Sequence, residues 1–145
     1  MTTDHARGAG YTLVELVLVM CIMALATLMG IRQYQLLMDR LATRDAVRAA
    51  GTVVARARDE AVAMHTPVSV RIDTFASSLE LRSRDGTFGL APLRSSHGVT
   101  LSTTRDSITF DVRGLGYGAA NLTLVARRGR SADTLVESRL GRMRY

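Results

Sequence analysis

Glu15 is the only charged side chain in an apolar run from Tyr11 to Ile31. A carboxylate in hydrocarbon costs on the order of a few kcal/mol at the bilayer centre, and less near the end of a span, where Glu15 stands. A partner must offset that cost. Were the chain cut between Gly10 and Tyr11, Glu15 would become the fifth residue, close to a new terminal amine of its own chain or of a neighbour. The second chemically equipped population is arginine, since all 19 basic residues are of that type. Its planar guanidinium suits paired hydrogen bonds to carboxylates and phosphates. Residues 11–112 carry 11 arginines against 10 acids, whereas residues 113–145 carry 7 against 2. The positive excess is therefore concentrated at the carboxyl end, where Arg127, Arg128, Arg130, Arg139, Arg142 and Arg144 fall on or beside loops and a terminal segment.

The elements that position these residues follow from periodicity. The 21 residues 11–31, rising about 1.5 Å each as a helix, match the roughly 30 Å hydrocarbon core of a bilayer. Val47, Ala50, Val54, Ala57, Ala61 and Met64 then recur at three- and four-residue spacing, an apolar stripe suited to packing on a sheet. Arg56 and Glu60 form an i,i+4 pair on another face. The pattern predicts one helix of about 50 residues, stopped by Pro67, with Gly30 and Gly51 as weak points. Beyond Pro67 the period becomes two. Val68, Val70 and Ile72, then Leu79 and Leu81, Ile108 and Phe110, and Leu122 and Leu124 alternate with polar residues, and a further short strand is expected over residues 134–137. Asp85-Gly86 and Gly114-x-Gly116-x-Gly118 mark turns, and residues 84–97 read as a long loop. The fold expected is α+β, a long amino-terminal helix packed on a small antiparallel β-sheet domain. The chain divides into a leader (1–10), a membrane and assembly helix (11–31), its amphipathic continuation (32–66) and a β-rich globular part (67–145).

Gly10-Tyr11-Thr12-Leu13-Val14-Glu15-Leu16, placed between a short polar leader and a long apolar helix, resembles the class III signal of type IV prepilins and type II secretion pseudopilins. The resemblance implies that a prepilin peptidase cuts after Gly10 and methylates the new amino terminus at Tyr11. It further implies that Glu15 helps place the subunit in a helical filament of other pilins or pseudopilins, built on an inner-membrane assembly platform. The protein is then a single-pass bacterial inner-membrane protein whose carboxyl-terminal domain lies in the periplasm or on an extracytoplasmic filament. Tyr11 stands where phenylalanine is usual in that family, and Arg32 where many members carry a helix-kinking proline.

Other readings of the same segment compete. Ala24-Leu25-Ala26 has the form of an ordinary signal-peptidase site with residues 16–23 as its apolar region. Against it, Leu28, Met29 and Ile31 continue the apolar run past that cut, and a glutamate before such a region has no role in secretion. A plain membrane anchor explains the length but not Glu15. The flanking charges point the other way on topology: only Arg7 precedes the span, while Arg32, Arg40, Arg44 and Arg48 follow it, which by the positive-inside rule places the carboxyl-terminal domain in the cytoplasm. The orientation adopted is the one the prepilin resemblance implies, because the rule is statistical.

A second resemblance lies at the carboxyl end. Ile108-Thr109-Phe110-Asp111-Val112-Arg113-Gly114, then Leu122-Thr123-Leu124, and finally Gly141-Arg142-Met143-Arg144 are similar to the pattern shared by H-type (GspH) pseudopilins of type II secretion and FimT-type minor pilins. Val112 replaces the proline common between the Asp and Arg of that pattern. In some FimT-type pilins the Gly-Arg-x-Arg end is implicated in binding DNA during natural transformation, so the resemblance implies DNA contacts at Arg142 and Arg144. Arg127, Arg128 and Arg130 would extend that surface, with Tyr117 and Tyr145 available to stack on bases. Equally, dispersed arginines solubilise a domain, bridge to acids such as Asp133 and Glu137, or contact neighbouring subunits.

Enzyme chemistry has little to work with. His5, His65 and His97 are far apart, no Cys or His cluster has ligand spacing, and Ser95-Ser96-His97 lacks a nucleophile motif. Gly114-x-Gly116-x-Gly118 is followed by a strand pattern instead of the helix a phosphate cradle needs, and Asp106 and Asp111 do not make a calcium loop. No catalysis, metal or cofactor is expected. The lone Cys21 allows no intramolecular disulfide, so the roughly 110 residues after the span must hold by packing, a normal size for one core. The function expected is that of a minor pilin-like subunit in a type II secretion pseudopilus or type IV pilus, the alternative being a DNA-binding minor pilin of natural transformation.

Overall fold

The computed structural model describes residues 11–117, 121–138 and 142–144. Helix α1, Leu13–Ala63, is 51 residues long and contributes to two compact units divided between Gln35 and Leu36. In the first unit every described residue is exposed. Its apolar window has a mean hydropathy of 2.4, long and apolar enough to cross a bilayer. Arg32 continues the helix where a proline would have interrupted it.

In the second unit α1 becomes one-sided. Thr43, Ala46, Val47, Ala50, Gly51, Val54, Ala57 and Ala61 are buried at helical spacing, and their small size lets strands approach the helix axis closely. The expected stripe is correct except at its end. The helix stops at Ala63, His65 enters the left-handed region at φ 52°, and Met64 is 42% exposed. Arg56 and Glu60 form the i,i+4 ion pair, at 3.7 Å.

The antiparallel strands are divided between two four-stranded sheets. The first contains β1 (Val68–Asp73), β2 (Ser78–Ser83), β3 (Gly86–Pro92) and β5 (Ser107–Phe110) in the order β3-β2-β1-β5. The second contains β4 (Thr100–Thr103), β6 (Leu122–Arg128), β7 (Ser131–Glu137) and β8 (Met143–Arg144) in the order β4-β6-β7-β8. Alternation fixes the inward faces. Val68, Val70, Ile72, Leu79, Leu81, Ile108 and Phe110 from the first sheet meet Leu101, Leu122, Leu124, Ala126 and Leu135 from the second, together with the buried stripe of α1.

Residues 84–97 are not a loop. They supply β3 and a short helix α2, Leu93–His97, closed by Gly98 at φ 65°. Helix α2 is followed directly by β4, so this stretch carries the chain from the edge of one sheet to the edge of the other.

Candidate functional site

At the amino end, Gly10 lies outside the described residues and Tyr11 is 81% exposed. Thr12 caps α1: its Oγ1 accepts a hydrogen bond from the Glu15 backbone N–H at 3.2 Å, and its carbonyl accepts the Leu16 N–H at 3.1 Å. Two amides of the first turn are thereby satisfied. Glu15 sits three residues after the cap, where the partial positive charge of the helix start favours a carboxylate. The Thr-x-x-Glu spacing is a capping signal legible in the sequence, and it gives Glu15 a local role besides any pairing between subunits. Cys21 is exposed among the apolar residues of the same helix.

The described carboxyl-terminal arginines stand in two groups. Arg127, Arg128 and Arg130 lie at the β6–β7 hairpin, where Arg128 pairs with Ser131. Arg144 pairs with Val136 near the other end of β7, five residues from Ser131 and so about 17 Å along the strand. Arg127 and Arg130 are exposed. Arg128 is committed to the fold: its Nε lies 3.1 Å from Asp39 Oδ1 on α1, and its Nη1 donates to the His97 carbonyl at 2.8 Å. Arg128 is therefore a clamp between hairpin, helix and α2, its half-exposed guanidinium engaged with Asp39 and the His97 carbonyl. Arg142 and Arg144 are exposed. Their segment is held by the Ser138 N–H donating to the Arg142 carbonyl at 2.9 Å and the Arg142 N–H donating to Ser138 Oγ at 3.2 Å. Arg139, Gly118 and Tyr145 lie outside the described residues, and Tyr117 is 73% exposed.

Two further arginines, neither of them a predicted contact residue, stand near the β8 end. Arg58 of α1 and Arg113 line a cleft with Met143. Arg113 is tied to Asp111, whose Oδ2 accepts from its Nε and Nη2 at 3.1 Å each. Asp111 Oδ1 accepts the backbone N–H groups of Leu115 and Arg113 at 2.9 Å each. These bonds, foremost the one from Leu115, hold the Asp111 carboxyl below its usual range. The aspartate thus builds a turn. Gly114, at φ 73°, lets that turn press onto the helix: a Cβ there would meet Arg58 and Val62 side-chain atoms at 3.1 Å.

Glu137 is the unexpected residue of this region. It is 1% exposed, and neither carboxylate oxygen has a hydrogen-bond partner among the described residues. Burial pushes its carboxyl up from 4.5 to about 7, opposed in part by the Arg58 charge. Its position two residues after inward-facing Leu135 was the signal available in the sequence. Among the described residues no three His, Cys, Asp or Glu side chains come together in a way that would hold a metal ion.

With this geometry in view, two solved structures are informative. The type IV minor pilin FimU of Pseudomonas aeruginosa is 16% identical, with a TM-score of 0.61 over 74% of this chain and 90% of FimU. The minor pseudopilin EpsH from the type 2 secretion system of Vibrio cholerae is 15% identical, with a TM-score of 0.56 over 70% of this chain and 94% of EpsH. The likeness shows a pilin-like fold. No protein-family profile matches the sequence, and no curated protein matches it.

Proposed function

We propose that this chain is a minor pilin-like subunit of a type II secretion pseudopilus or a type IV pilus, working by assembly and not by turnover. The observation that carries the reading is α1: a capped, fully exposed apolar first part bearing one carboxylate in its first turn, on a helix whose later part is buried against two sheets. A helix exposed along so much apolar surface needs lipid or other helices around it. Cleavage after Gly10 by a prepilin peptidase would leave Tyr11 as the new, methylated terminus. Glu15 would then find the terminal amine of a neighbouring subunit, so that each added subunit neutralises a carboxylate that otherwise costs free energy in the membrane. The subunit waits in the inner membrane with residues 36–145 outside the cytoplasm, and enters the filament through an assembly platform. In the experiment that tests this, Glu15→Leu leaves the chain in the membrane fraction but lowers its recovery in sheared filaments severalfold. Undiminished recovery would refute the role given to Glu15.

A second reading is favoured by one observation: Arg142 and Arg144 are exposed and make no ion pair among the described residues. Presented on a filament, they would contact DNA phosphates during uptake. Binding of a DNA duplex over a salt series tests it, because an Arg142→Ala/Arg144→Ala variant should lose up to about two counterion equivalents of slope, at about 0.9 per phosphate.

A further inference from the structure

Beside the β6–β7 hairpin, α1 and β7 enclose an open groove of about 620 Å³. On the helix side Leu37, Arg40, Leu41 and Arg44 recur at positions i, i+3, i+4 and i+7, which places them on one face. On the hairpin side stand Arg130 and Asp133. Leu37 and Leu41 are 53% and 45% exposed, an apolar floor left uncovered.

The charge of this groove is unbalanced, and the fold makes it so. Arg40 and Arg44 are like charges one helical turn apart, a mildly unfavourable arrangement, and Arg130 is brought up to them. None of the three has an ion-pair partner among the described residues. Asp39, next to Arg40 in sequence, pairs instead with Arg128 at 3.1 Å. The same clamp sets the hairpin on the helix: Gly129, at φ 54°, packs so closely on the Asp39 carboxylate that no Cβ fits between them. Among the described residues Asp133 is the one acid lining the groove, and its Oδ1 already accepts the Thr134 N–H at 2.9 Å. Three cations over an apolar floor fit a ligand with an anionic head and an acyl tail.

Location favours a lipid. The apolar run ends at Ile31, and Leu36 at the groove stands five positions further along the chain. Even fully extended these reach at most about 18 Å, so a chain anchored by residues 11–31 keeps the groove close to the headgroup layer. We infer that Leu37, Leu41, Arg40, Arg44 and Arg130 form a binding surface for anionic phospholipids of the membrane that holds the span. The inference rests on the membrane anchorage proposed above. It also gives a function to arginines that run against the positive-inside rule: on the extracytoplasmic side they hold the domain to anionic lipid until the subunit is extracted.

The test uses the full chain in mild detergent with equimolar phosphatidylglycerol and phosphatidylcholine of identical acyl chains, and reads retained lipid by native mass spectrometry. Each arginine near an anionic lipid is worth about fivefold. With Asp133 opposing one of the three, the wild-type preference for phosphatidylglycerol should be roughly 20-fold. Arg40→Gln/Arg44→Gln/Arg130→Gln, which leaves Asp133, should bring it to unity or below, Arg130→Gln alone should lower it severalfold, and Arg142→Gln/Arg144→Gln should leave it in place. Circular dichroism melting checks that each variant is folded. Absence of a wild-type preference, or equal loss in the Arg142/Arg144 variant, would overturn the assignment. So would displacement of the lipid by millimolar inorganic phosphate, or groove-dependent binding of a DNA duplex without any preference for phosphatidylglycerol. A chain that stays in solution without detergent or membrane would instead remove the anchorage premise, and the groove assignment with it.

Discussion

Replacing Glu137 by glutamine removes the titration of a buried carboxylate while keeping its shape and its neutral polarity. The folded chain holds this proton up to about pH 7, whereas an unfolded chain releases it near 4.5. Below pH 4.5 both states are protonated and the group carries no penalty. As pH rises through that window the unfolded state gains by ionising and the folded state does not, so stability falls until about pH 7 and then levels off. At about 1.4 kcal/mol for each tenfold in proton affinity, the whole change is about 3 kcal/mol, or about 13 °C in melting temperature for a domain of this size. The segment from Leu36 onward suits the measurement because it holds every buried described residue. In urea unfolding followed by circular dichroism, wild type and Glu137→Gln should have similar midpoints at pH 4.5, and the variant should be more stable by up to about 3 kcal/mol at pH 8. Asp111, with its lowered carboxyl, contributes stability above its unfolded pKa that is lost only as pH falls through the lower folded value, so it does not confuse the comparison. Parallel pH profiles for the two proteins would refute the claim that burial raises the Glu137 carboxyl.

Gly129→Ala should destabilise the domain by about 1–3 kcal/mol, because its φ of 54° disfavours a side chain and a Cβ would strike Asp39; urea midpoints read this. Arg128→Ala, which removes a half-exposed ion pair and the bond to the His97 carbonyl, should cost about 1–2 kcal/mol by the same assay. Gly114→Val should loosen the turn that packs on Arg58 and Val62, seen as faster amide hydrogen exchange over residues 111–117, with Asp111→Asn giving a similar but smaller effect.

The sequence announces the elements that are long or strongly periodic. The stripe from Val47 to Ala61 and the alternations of β1, β2, β5 and β6 each bury the face they indicate, whereas β7, expected only as a short strand, buries Leu135 and Glu137 and exposes Val136. The division into two sheets was not legible, since alternation says which face of a strand is buried and nothing about which strand it joins. The missed elements have particular causes. Strand β3 carries Gly86 and Gly89 and ends in Pro92, features of a turn, and they are tolerated because β3 lies at a sheet edge and Gly89 packs on Leu81, with a register shift between Leu81 and Arg82. Strand β4 buries only Leu101, and β8 is two residues long. At the amino end, the capping role of Thr12 was legible in the Thr-x-x-Glu spacing but passed over. At the carboxyl end, counting arginines could not separate Arg128, consumed by Asp39 and His97, from exposed Arg127, Arg130, Arg142 and Arg144. That separation depends on a contact between residues 89 positions apart in the chain.

The central claim is that the chain is processed after Gly10 so that Tyr11 and Glu15 can act in assembly. Mass spectrometry of the amino-terminal peptide decides it, using the full chain produced in a bacterium with and without an active prepilin peptidase. The account predicts a methylated terminus at Tyr11 when the peptidase is active, an uncut leader when it is not, and loss of processing in Gly10→Val. A mature terminus after Ala26, or the same terminus whether or not the peptidase is present, would contradict it.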